Sequence, residues 1–178
     1  MNHITTYTGK HFEPLNPDPE KILIKDIAHA LSLICRGNGH VKTFWSVGQH
    51  CICCAQEARA RGYSERVALA ALLHDASECY MSDIPRPFKQ DLPEYRERED
   101  RLIRMVYEKF LGSALTPEEE ALVKEVDDVL LWYDLDNLLE DQFGEGPELH
   151  IDLDYAVRPF EEVEQEYMEL FCEFSKEV

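Results

Sequence analysis

The amino-acid sequence predicts an all-α protein, a bundle of helices in one domain. Three features of the 178-residue chain lead to this fold class. Apolar side chains recur at steps of three and four residues, helix-capping sequences precede several of these stretches, and almost no segment alternates with the period of two that a strand requires. Because a chain of this length suits a single compact domain, we assign residues 1–178 to one domain.

The first elements follow from composition and spacing. Residues 1–19 are rich in Thr, Pro, Asn and Asp, so we expect them to run extended over the surface. Apolar residues at helical spacing over 24–35 predict the first helix, and the Gly-Asn-Gly sequence at 37–39 ends it. The sequence Ser-Val-Gly-Gln at 46–49 has the form of a capping box and predicts a second helix that runs to about Arg61.

The middle of the chain combines a buried helix with a proline-rich loop. Ser64 opens a third helix whose residues 67–73 are wholly apolar, as in a helix that is buried on all sides. Three prolines within residues 81–93 predict a loop, because proline cannot donate a hydrogen bond inside a helix. The last of them, Pro93, suits the first turn of a fourth helix that runs to about Leu111.

The last third of the chain predicts two more helices. The sequence Thr-Pro-Glu-Glu at 116–119 is a second capping box with proline at the first helical position, and it begins a long fifth helix. A connection rich in Gly, Pro and Asp follows over residues 144–159. An acidic amphipathic helix over residues 160–174 then closes the chain.

The formal net charge of −18 resides in the C-terminal part. Residues 1–112 carry 15 basic and 15 acidic side chains, whereas residues 113–178 carry 3 and 21. So acidic a chain lacks the positive field that attracts a phosphate backbone, which argues against a general nucleic-acid binder. A small anionic substrate remains compatible with this charge if basic side chains are concentrated locally.

The sequence predicts a cytoplasmic protein without a membrane partner. No stretch approaches the roughly 20 apolar residues of a membrane helix, and the first ten residues contain no apolar signal core. In the cytoplasm cysteines remain reduced, so we expect six free thiols rather than disulfides. They are Cys35, Cys51, Cys53, Cys54, Cys79 and Cys172.

The densest group of potential ligands lies at the end of the apolar third helix. His74 and Asp75 are adjacent there, and Glu78 follows on the same helical face. Burying this much charge is costly unless a counterion compensates it, and a metal ion is the usual one. The alternative is a capped helix end at which Asp75 and Glu78 are solvated.

Two more residues extend this group of ligands. His50 lies one turn into the second helix, where its ring can face a neighbouring helix; a histidine satisfied by its surroundings is the alternative. Asp127 shares a helical face with the apolar Val123 and Leu130, and a carboxylate on an inward face needs a partner. The adjacent Asp128 lies about 100° round the helix and points elsewhere.

The order His50, His74-Asp75, Asp127 resembles the ligand pattern of the HD-domain metal-dependent phosphohydrolases. The sequence is similar in particular to the 5'-deoxyribonucleotidase branch and its phage and bacterial relatives. Three segments carry this similarity: Ser-Val-Gly-Gln-His at 46–50, Leu-His-Asp-Ala-Ser-Glu at 73–78 and Asp-Ile-Pro-Arg-Pro-Phe-Lys at 83–89.

The resemblance covers about residues 26–139 and implies a helical bundle with a metal site between helices. It implies that His50, His74, Asp75 and Asp127 hold one divalent ion, of which Mn, Co, Mg, Zn, Fe and Ni are all candidates. The implied activity is hydrolysis of a small nucleotide, foremost a deoxyribonucleoside 5'-monophosphate, by metal-activated water. The implied assembly is a homodimer.

Two other functions stay open at this point. A triphosphohydrolase that releases triphosphate from a deoxynucleotide would use the same metal ligands, although a triphosphate requires more basic residues than this chain has to spare. A non-catalytic HD module that binds a nucleotide is the alternative of another class. The presence of all four ligands together with Glu78 argues against it.

Candidate catalytic and substrate-binding residues surround the predicted ligands. Glu78 is the candidate general acid or base, and Asp83 could orient Glu78, the attacking water or the leaving oxygen. For Asp83 an Asx turn is the alternative. Arg36 stands where the similar nucleotidases have a substrate-contacting arginine, and its forked donors suit a phosphate; a surface ion pair is the alternative. Gly37 follows, where those enzymes have an aromatic residue, so their sugar selection is not transferred.

Further residues are candidates for substrate contacts. Lys89 is the best of the remaining cations for a phosphate, with His40 and Arg86 behind it. Trp45 or Phe44 could stack on a base, although packing in the core is the alternative.

The cysteines of the second helix offer a competing metal hypothesis. Cys51 and Cys54 have the C-x-x-C spacing of zinc sites, but no second pair of this kind completes a tetrahedral structural site. We therefore interpret them, together with Cys53, as small apolar packing residues.

Overall fold

The computed structural model describes residues 2–140 and 144–176 and is mostly helical, which is compatible with the predicted all-α class. The helices are α1 (Ile24–Leu33), α2 (Val47–Ala60), α3 (Glu65–Leu73), α4 (Glu78–Met81), α5 (Arg86–Lys89), α6 (Pro93–Leu111), α7 (Pro117–Leu138) and α8 (Phe160–Phe174).

The predicted helix starts are confirmed at both capping boxes. At the start of α2 the backbone N–H of Gln49 donates to Ser46 Oγ, and the backbone N–H of Ser46 donates to Gln49 Oε1, each over 3.1 Å. The same reciprocal pair joins Thr116 and Glu119 at the start of α7. These bonds satisfy N–H groups that have no partner within the helix, so the chain turns into each helix at a defined residue.

Helix α3 is the buried centre of the bundle, as its sequence predicts. All seven residues from 67 to 73 are buried. Helices α2, α6, α7 and α8 pack around it, and the hydroxyl of Tyr167 in α8 donates to the carbonyl of Leu72 over 2.6 Å. The end of α3, which carries His74, is therefore enclosed by the other long helices.

Helix α2 approaches α1 closely at Gly48. A Cβ atom at this position would lie 3.2 Å from the backbone carbon and oxygen of Leu31 and 3.2 Å from the nitrogen of Ser32. A Cβ contact this short is tighter than most, so glycine lets the two backbones come this near without a shift of either helix. The contact fixes the position of α2 one half-turn before His50.

The N-terminal segment departs from the expected extended chain. Residues Ile4–Thr5 (β1) and His11–Phe12 (β2) pair in antiparallel fashion and form a small hairpin. The hydroxyl and the backbone N–H of Thr8 both donate to the Asp26 carboxylate, which ties the hairpin to α1. Strands of two residues are too short for an alternating pattern to reveal them.

The predicted loop over residues 81–93 contains the short helix α5. Pro85 precedes this helix and a second proline lies within its first turn, where a missing N–H costs no hydrogen bond. Between α4 and α5, Ser82 has φ 74° and ψ 154°, a conformation that strongly favours glycine. The hydroxyl of Tyr95 in α6 donates to the Ser82 carbonyl over 2.9 Å and holds this turn.

The C-terminal elements agree with the sequence-based expectation. Helix α8 spans Phe160–Phe174 and buries Val163, Tyr167, Leu170 and Phe174, one side chain per turn. All six cysteines are free thiols. Within residues 2–140 and 144–176, no helix is both long enough and apolar enough to cross a membrane.

Candidate metal centre

Two histidines from different helices meet in the interior of the bundle. His50 comes from the first turn of α2 and is fully buried, and His74 follows the last residue of α3. Their ring centroids are 5.3 Å apart, with the planes inclined by 58°. The fold thus brings together two residues that are 24 positions apart in the sequence.

The orientation of the His50 ring is set by Asp134. His50 Nδ1 lies 2.8 Å from Asp134 Oδ2, and because a carboxylate accepts, Nδ1 carries the proton. Tyr155 donates its hydroxyl to the other carboxylate oxygen over 3.1 Å. The second ring nitrogen, His50 Nε2, then faces Asp127 Oδ1 at 3.3 Å.

The His74 ring is held by the backbone of its own helix. His74 Nδ1 lies 2.7 Å from the carbonyl oxygen of Ala71, which can only accept, so Nδ1 is again the protonated nitrogen. His74 Nε2 is buried, 3.1 Å from Asp75 Oδ2 and 3.7 Å from Asp127 Oδ1. The first of these distances lacks hydrogen-bonding geometry, so His74 Nε2 has no hydrogen-bond partner among the described residues.

The four predicted ligands are therefore in one place. We call them, together with the orienting carboxylate, the His50 cluster: His50, His74, Asp75, Asp127 and Asp134. In neutral imidazoles the two Nε2 lone pairs would face carboxylate oxygens, and acceptors that face acceptors repel. The centre of the cluster requires positive charge, which either protons or a cation can supply.

The pKa shifts in the cluster also indicate that positive charge is favoured at its centre. Burial lowers the pKa of His74, but the neighbouring Asp75 raises it well above the usual value. Burial and the charge of Arg36 lower the pKa of His50. Negative neighbours including Asp134 outweigh them, so the pKa of His50 is also raised well above its usual value. Burial raises the pKa of Asp127, yet its hydrogen bond with His50 and the charge of His74 lower it overall.

The distances in the cluster suit a small divalent ion. Two atoms that bind one ion tetrahedrally at about 2.0–2.1 Å lie about 3.3 Å from each other. The contact of Asp127 Oδ1 with His50 Nε2 is 3.3 Å, and its contact with His74 Nε2 is 3.7 Å. With imidazole nitrogens and carboxylate oxygens as donors, these residues fit a first-row metal ion.

Asp134 is the residue of the cluster that the sequence analysis missed. It lies in α7 seven positions after Asp127, which is two helical turns on the same face. It is buried with only 5 % of its surface exposed. A pair of aspartates seven residues apart on the inward face of one helix was the available signal.

Two arginines neutralise part of the negative charge. Arg36 Nε lies 3.1 Å from Asp134 Oδ2, and Arg36 Nη1 lies 3.5 Å from Asp75 Oδ2. Arg86 from α5 reaches Asp127 Oδ2 at 2.9 Å. The predicted substrate contact Arg36 therefore borders the His50 cluster, and Arg86, a weaker candidate in the sequence, also reaches it.

Glu78 lies beside the cluster at the start of α4. It is 5 % exposed, and its Oε2 has no hydrogen-bond partner among the described residues. Burial and the carboxylates of Asp75 and Asp83 raise the pKa of Glu78 well above its usual value, although Arg36 and Lys89 oppose this. The predicted acid-base residue and the predicted Asp83 and Lys89 are thus electrostatic neighbours. Lys89 itself pairs with Glu99 over 2.7 Å.

Two predicted substrate contacts are not joined to this group. Trp45 is buried and its ring lies against Tyr155, with centroids 4.7 Å apart, which is the packing alternative. His40 is exposed at the end of the turn after α1. Among the described residues no side-chain hydrogen bond or ion pair connects His40 with the His50 cluster.

Two cysteines of α2 border the cluster as well. Cys54 Sγ lies 3.4 Å from His50 Nε2, and donor atoms of His50, Cys54 and His74 all lie within 4.8 Å of one another. Donor atoms of Cys51, His74 and Asp75 form a second such group. Both thiols are buried, as expected for packing residues, yet both are also placed among the candidate ligands.

Two cavities lie elsewhere in the molecule. Each has a volume of about 450 Å³ and is lined by residues of the N-terminal hairpin, one of them also by α1 and α4. Neither is lined by a member of the His50 cluster.

Comparison with known proteins places the chain in a family. No protein-family model matches it. It is 39 % identical over 131 residues to the Escherichia coli K12 protein named uncharacterized protein YfdR, covering 74 % of this chain and 69 % of YfdR. It is 38 % identical over 116 residues to an uncharacterized Rhodobacter capsulatus protein, covering 62 % of this chain and 59 % of the relative. Neither name states an activity. From the extent of the first match, the chain belongs to the same family as YfdR.

Proposed function

We propose that this protein is a metal-dependent phosphohydrolase that acts on small nucleotides, foremost deoxyribonucleoside 5'-monophosphates. The observation that carries the proposal is the convergence of His50 Nε2 and His74 Nε2 with carboxylate oxygens of Asp75 and Asp127. The resemblance to the HD-domain phosphohydrolases supports the reaction class and the nucleotide substrate.

Four residues would hold the ion: His50, His74, Asp75 and Asp127. A divalent ion bound there supplies a water of lowered pKa and neutralises charge that builds up on the phosphoryl group. Each imidazole presents Nε2, because its Nδ1 proton is committed to Asp134 or to the Ala71 carbonyl. This commitment holds the rings in the tautomer that a metal requires.

Glu78 is suited to move a proton. Burial and the neighbouring carboxylates raise its pKa, which favours the protonated carboxyl, and its Oε2 is left without a hydrogen-bond partner among the described residues. In the proposed reaction Glu78 donates this proton to the 5'-oxygen of the departing nucleoside. Asp83, whose charge helps to raise the pKa of Glu78, would hold it in the protonated form.

The cations near the cluster suit one phosphate group. Arg36 offers a planar fork of donors, and Arg86 and Lys89 approach from the segment of α5. Each of the three is paired with a carboxylate, so a substrate phosphate must compete for them. Three shared cations favour a monophosphate over a triphosphate, which would bring more negative charge into an already acidic protein.

The test is phosphate release from a panel of deoxynucleoside monophosphates and triphosphates. The purified protein is assayed with Mn²⁺, Co²⁺, Mg²⁺, Zn²⁺ or no added metal, and the products are separated to distinguish phosphate from triphosphate. We expect metal-dependent release of phosphate from monophosphates. Release of triphosphate from a deoxynucleoside triphosphate would instead support the triphosphohydrolase activity. Inactivity on every substrate with every metal would refute the proposal that the protein is a phosphohydrolase.

Two variants distinguish loss of the metal from loss of the proposed general acid. Asp75→Ala should lose activity together with bound metal, whereas Glu78→Gln should keep the metal and lose activity. Glu120→Ala, which removes an exposed carboxylate of α7, is the matched control and should behave as the wild type. Full activity in Asp75→Ala would contradict the ligand assignment.

A further inference from the structure

We propose that Cys54 is a further ligand of the metal centre and that its sulfur makes the site favour Zn²⁺ or Co²⁺ over Mg²⁺. This inference rests on the proposed metal-dependent function and names a ligand outside the His and Asp set. Three observations carry it: the spacing in α2, the distance between sulfur and imidazole nitrogen, and the group of donors that the sulfur completes.

The spacing places Cys54 on the face of α2 that carries the metal ligand. Cys54 follows His50 by four residues, so the two side chains lie above one another on the helix. The same interval lets two side chains of a single helix bind one ion in the H-E-x-x-H motif. Cys53, one position earlier, is turned away by about 100°.

The distance agrees with joint binding of one ion. Cys54 Sγ lies 3.4 Å from His50 Nε2, the nitrogen that also faces Asp127. For an ion at about 2.0 Å from nitrogen and 2.3 Å from sulfur, neighbouring donors are about 3.0 Å apart at a right angle and about 3.5 Å apart at the tetrahedral angle. The observed distance lies within this range.

The sulfur completes a group of three protein donors. Donor atoms of His50, Cys54 and His74 lie within 4.8 Å of one another, close enough for one ion to lie among them. Cys51 also approaches His74, but its group contains Asp75 in place of His50. Of the two cysteines, Cys54 is the one whose group contains both histidines, so we assign the ligand to Cys54.

A sulfur ligand would change which ion the site prefers. On binding, the Cys54 S–H bond breaks, the sulfur keeps the electron pair for the metal, and the proton passes to solvent. Thiolate is a soft ligand that favours Zn²⁺ and similar ions, whereas Mg²⁺ prefers carboxylates, carbonyls and water. A site of carboxylates and imidazoles alone discriminates less between these ions.

Cobalt substitution tests the assignment. The metal-free full-length protein is titrated with Co²⁺, and its visible d–d bands report binding while a near-ultraviolet band reports a thiolate–cobalt bond. We expect both in the wild type and in Cys53→Ser. In Cys54→Ser we expect the d–d bands without the thiolate band, and Zn²⁺ affinity lower by at least about 10-fold with Mg²⁺ affinity little changed.

X-ray absorption of the zinc-loaded wild type gives a readout that does not depend on a variant. One sulfur at about 2.3 Å from the zinc supports the proposal. A shell of nitrogen and oxygen alone overturns it, as does a thiolate band that survives in Cys54→Ser or disappears in Cys51→Ser only. These outcomes leave the metal site intact, whereas the absence of any d–d band on Co²⁺ addition would overturn the metal site itself.

Discussion

Helix α2 carries two ionic networks two turns apart, and they differ in how their donors and acceptors are matched. Around His50, two imidazoles and three carboxylates face one another. Around Glu57, which is fully buried, the donors are complete: Arg61 Nε lies 2.7 Å from Oε1, and His150 approaches Oε1 with Nδ1 at 3.0 Å and Oε2 with its backbone nitrogen at 2.9 Å.

The difference separates a network that protein groups satisfy from a candidate metal site of similar composition. We call Glu57, Arg61, Glu125 and His150 the Glu57 network; Arg61 joins its two carboxylates, with Nη1 2.6 Å from Glu125 Oε1. In the Glu57 network, both oxygens of the buried Glu57 carboxylate accept hydrogen bonds from protein groups. The His50 cluster contains more acceptors than fixed donors, so only an added positive charge completes it.

The largest effect should come from removal of a carboxylate of the His50 cluster. In Asp127→Ala the oxygen that faces both Nε2 atoms is lost. If the proposed function holds, the metal is lost with it, and a metal contributes several kcal/mol to this kind of catalysis. We expect phosphate release to fall at least about 10³-fold. Steady-state kinetics and metal analysis measure this, with Glu120→Ala as control. Retained activity would remove Asp127 from the site.

The Glu57 network should respond in stability rather than in metal binding. Glu57→Gln removes the buried carboxylate that accepts from Arg61 and His150, while Arg61 keeps its pair with Glu125, so we expect the free energy of unfolding to fall by about 2 kcal/mol. Urea unfolding measures the change, and calorimetric titration with Zn²⁺ should give an unaltered affinity. If Glu57→Gln weakens zinc binding but leaves the free energy of unfolding unchanged, the assignment of a purely structural role to the Glu57 network is wrong.

A smaller effect is expected from the carboxylate behind His50. Asp134→Asn keeps the size of the side chain but removes the charge that fixes the His50 ring, so metal affinity should fall about 10–100-fold. Zinc affinity is the readout, and helicity by circular dichroism should be preserved. An unchanged affinity would show that Asp134 only neutralises Arg36.

The pH dependence of stability offers the finest comparison. Burial raises the pKa of Glu57, but the hydrogen bonds from Arg61 and His150 hold it below its usual value of 4.5. The stabilisation is therefore complete above pH 4.5 and is lost as the pH falls through the lowered pKa. We expect the difference in unfolding free energy between wild type and Glu57→Gln to shrink below this pH. If the difference in unfolding free energy between the two proteins grows as the pH falls, the pKa of Glu57 is raised by folding and not lowered.

Local rules explain which parts of the fold the sequence could predict. Helix α8 lies at 160–174 as expected, and both capping boxes form, because a cap depends on residues three positions apart. The hairpin of β1 and β2 and the helix α5 were not predicted. The hairpin depends on the distant Asp26, and α5 is too short to show a period.

In the candidate site, too, some residues could be predicted from the sequence and others depend on contacts between distant parts of the chain. The four candidate ligands could be named from the order of residues that the HD-domain resemblance provides, and their side chains lie together. The proposed roles of Asp134 and Cys54 could not be named, because they depend on which ring nitrogen of His50 each one faces. That is a property of the packed helices, and single-sequence patterns contain no information on ring orientation.

The close contact of Gly48 with the backbone of Leu31 has a consequence for tolerance to mutation. His50 lies two residues further along α2, so a Cβ that pushed the helix away from α1 by a few tenths of an ångström would carry the imidazole with it. Gly48 has no side chain and is not a member of the His50 cluster. In a scan of all substitutions it should nevertheless tolerate few residues, because exchange of one of its hydrogen atoms for a methyl group would shift His50 relative to the rest of the cluster.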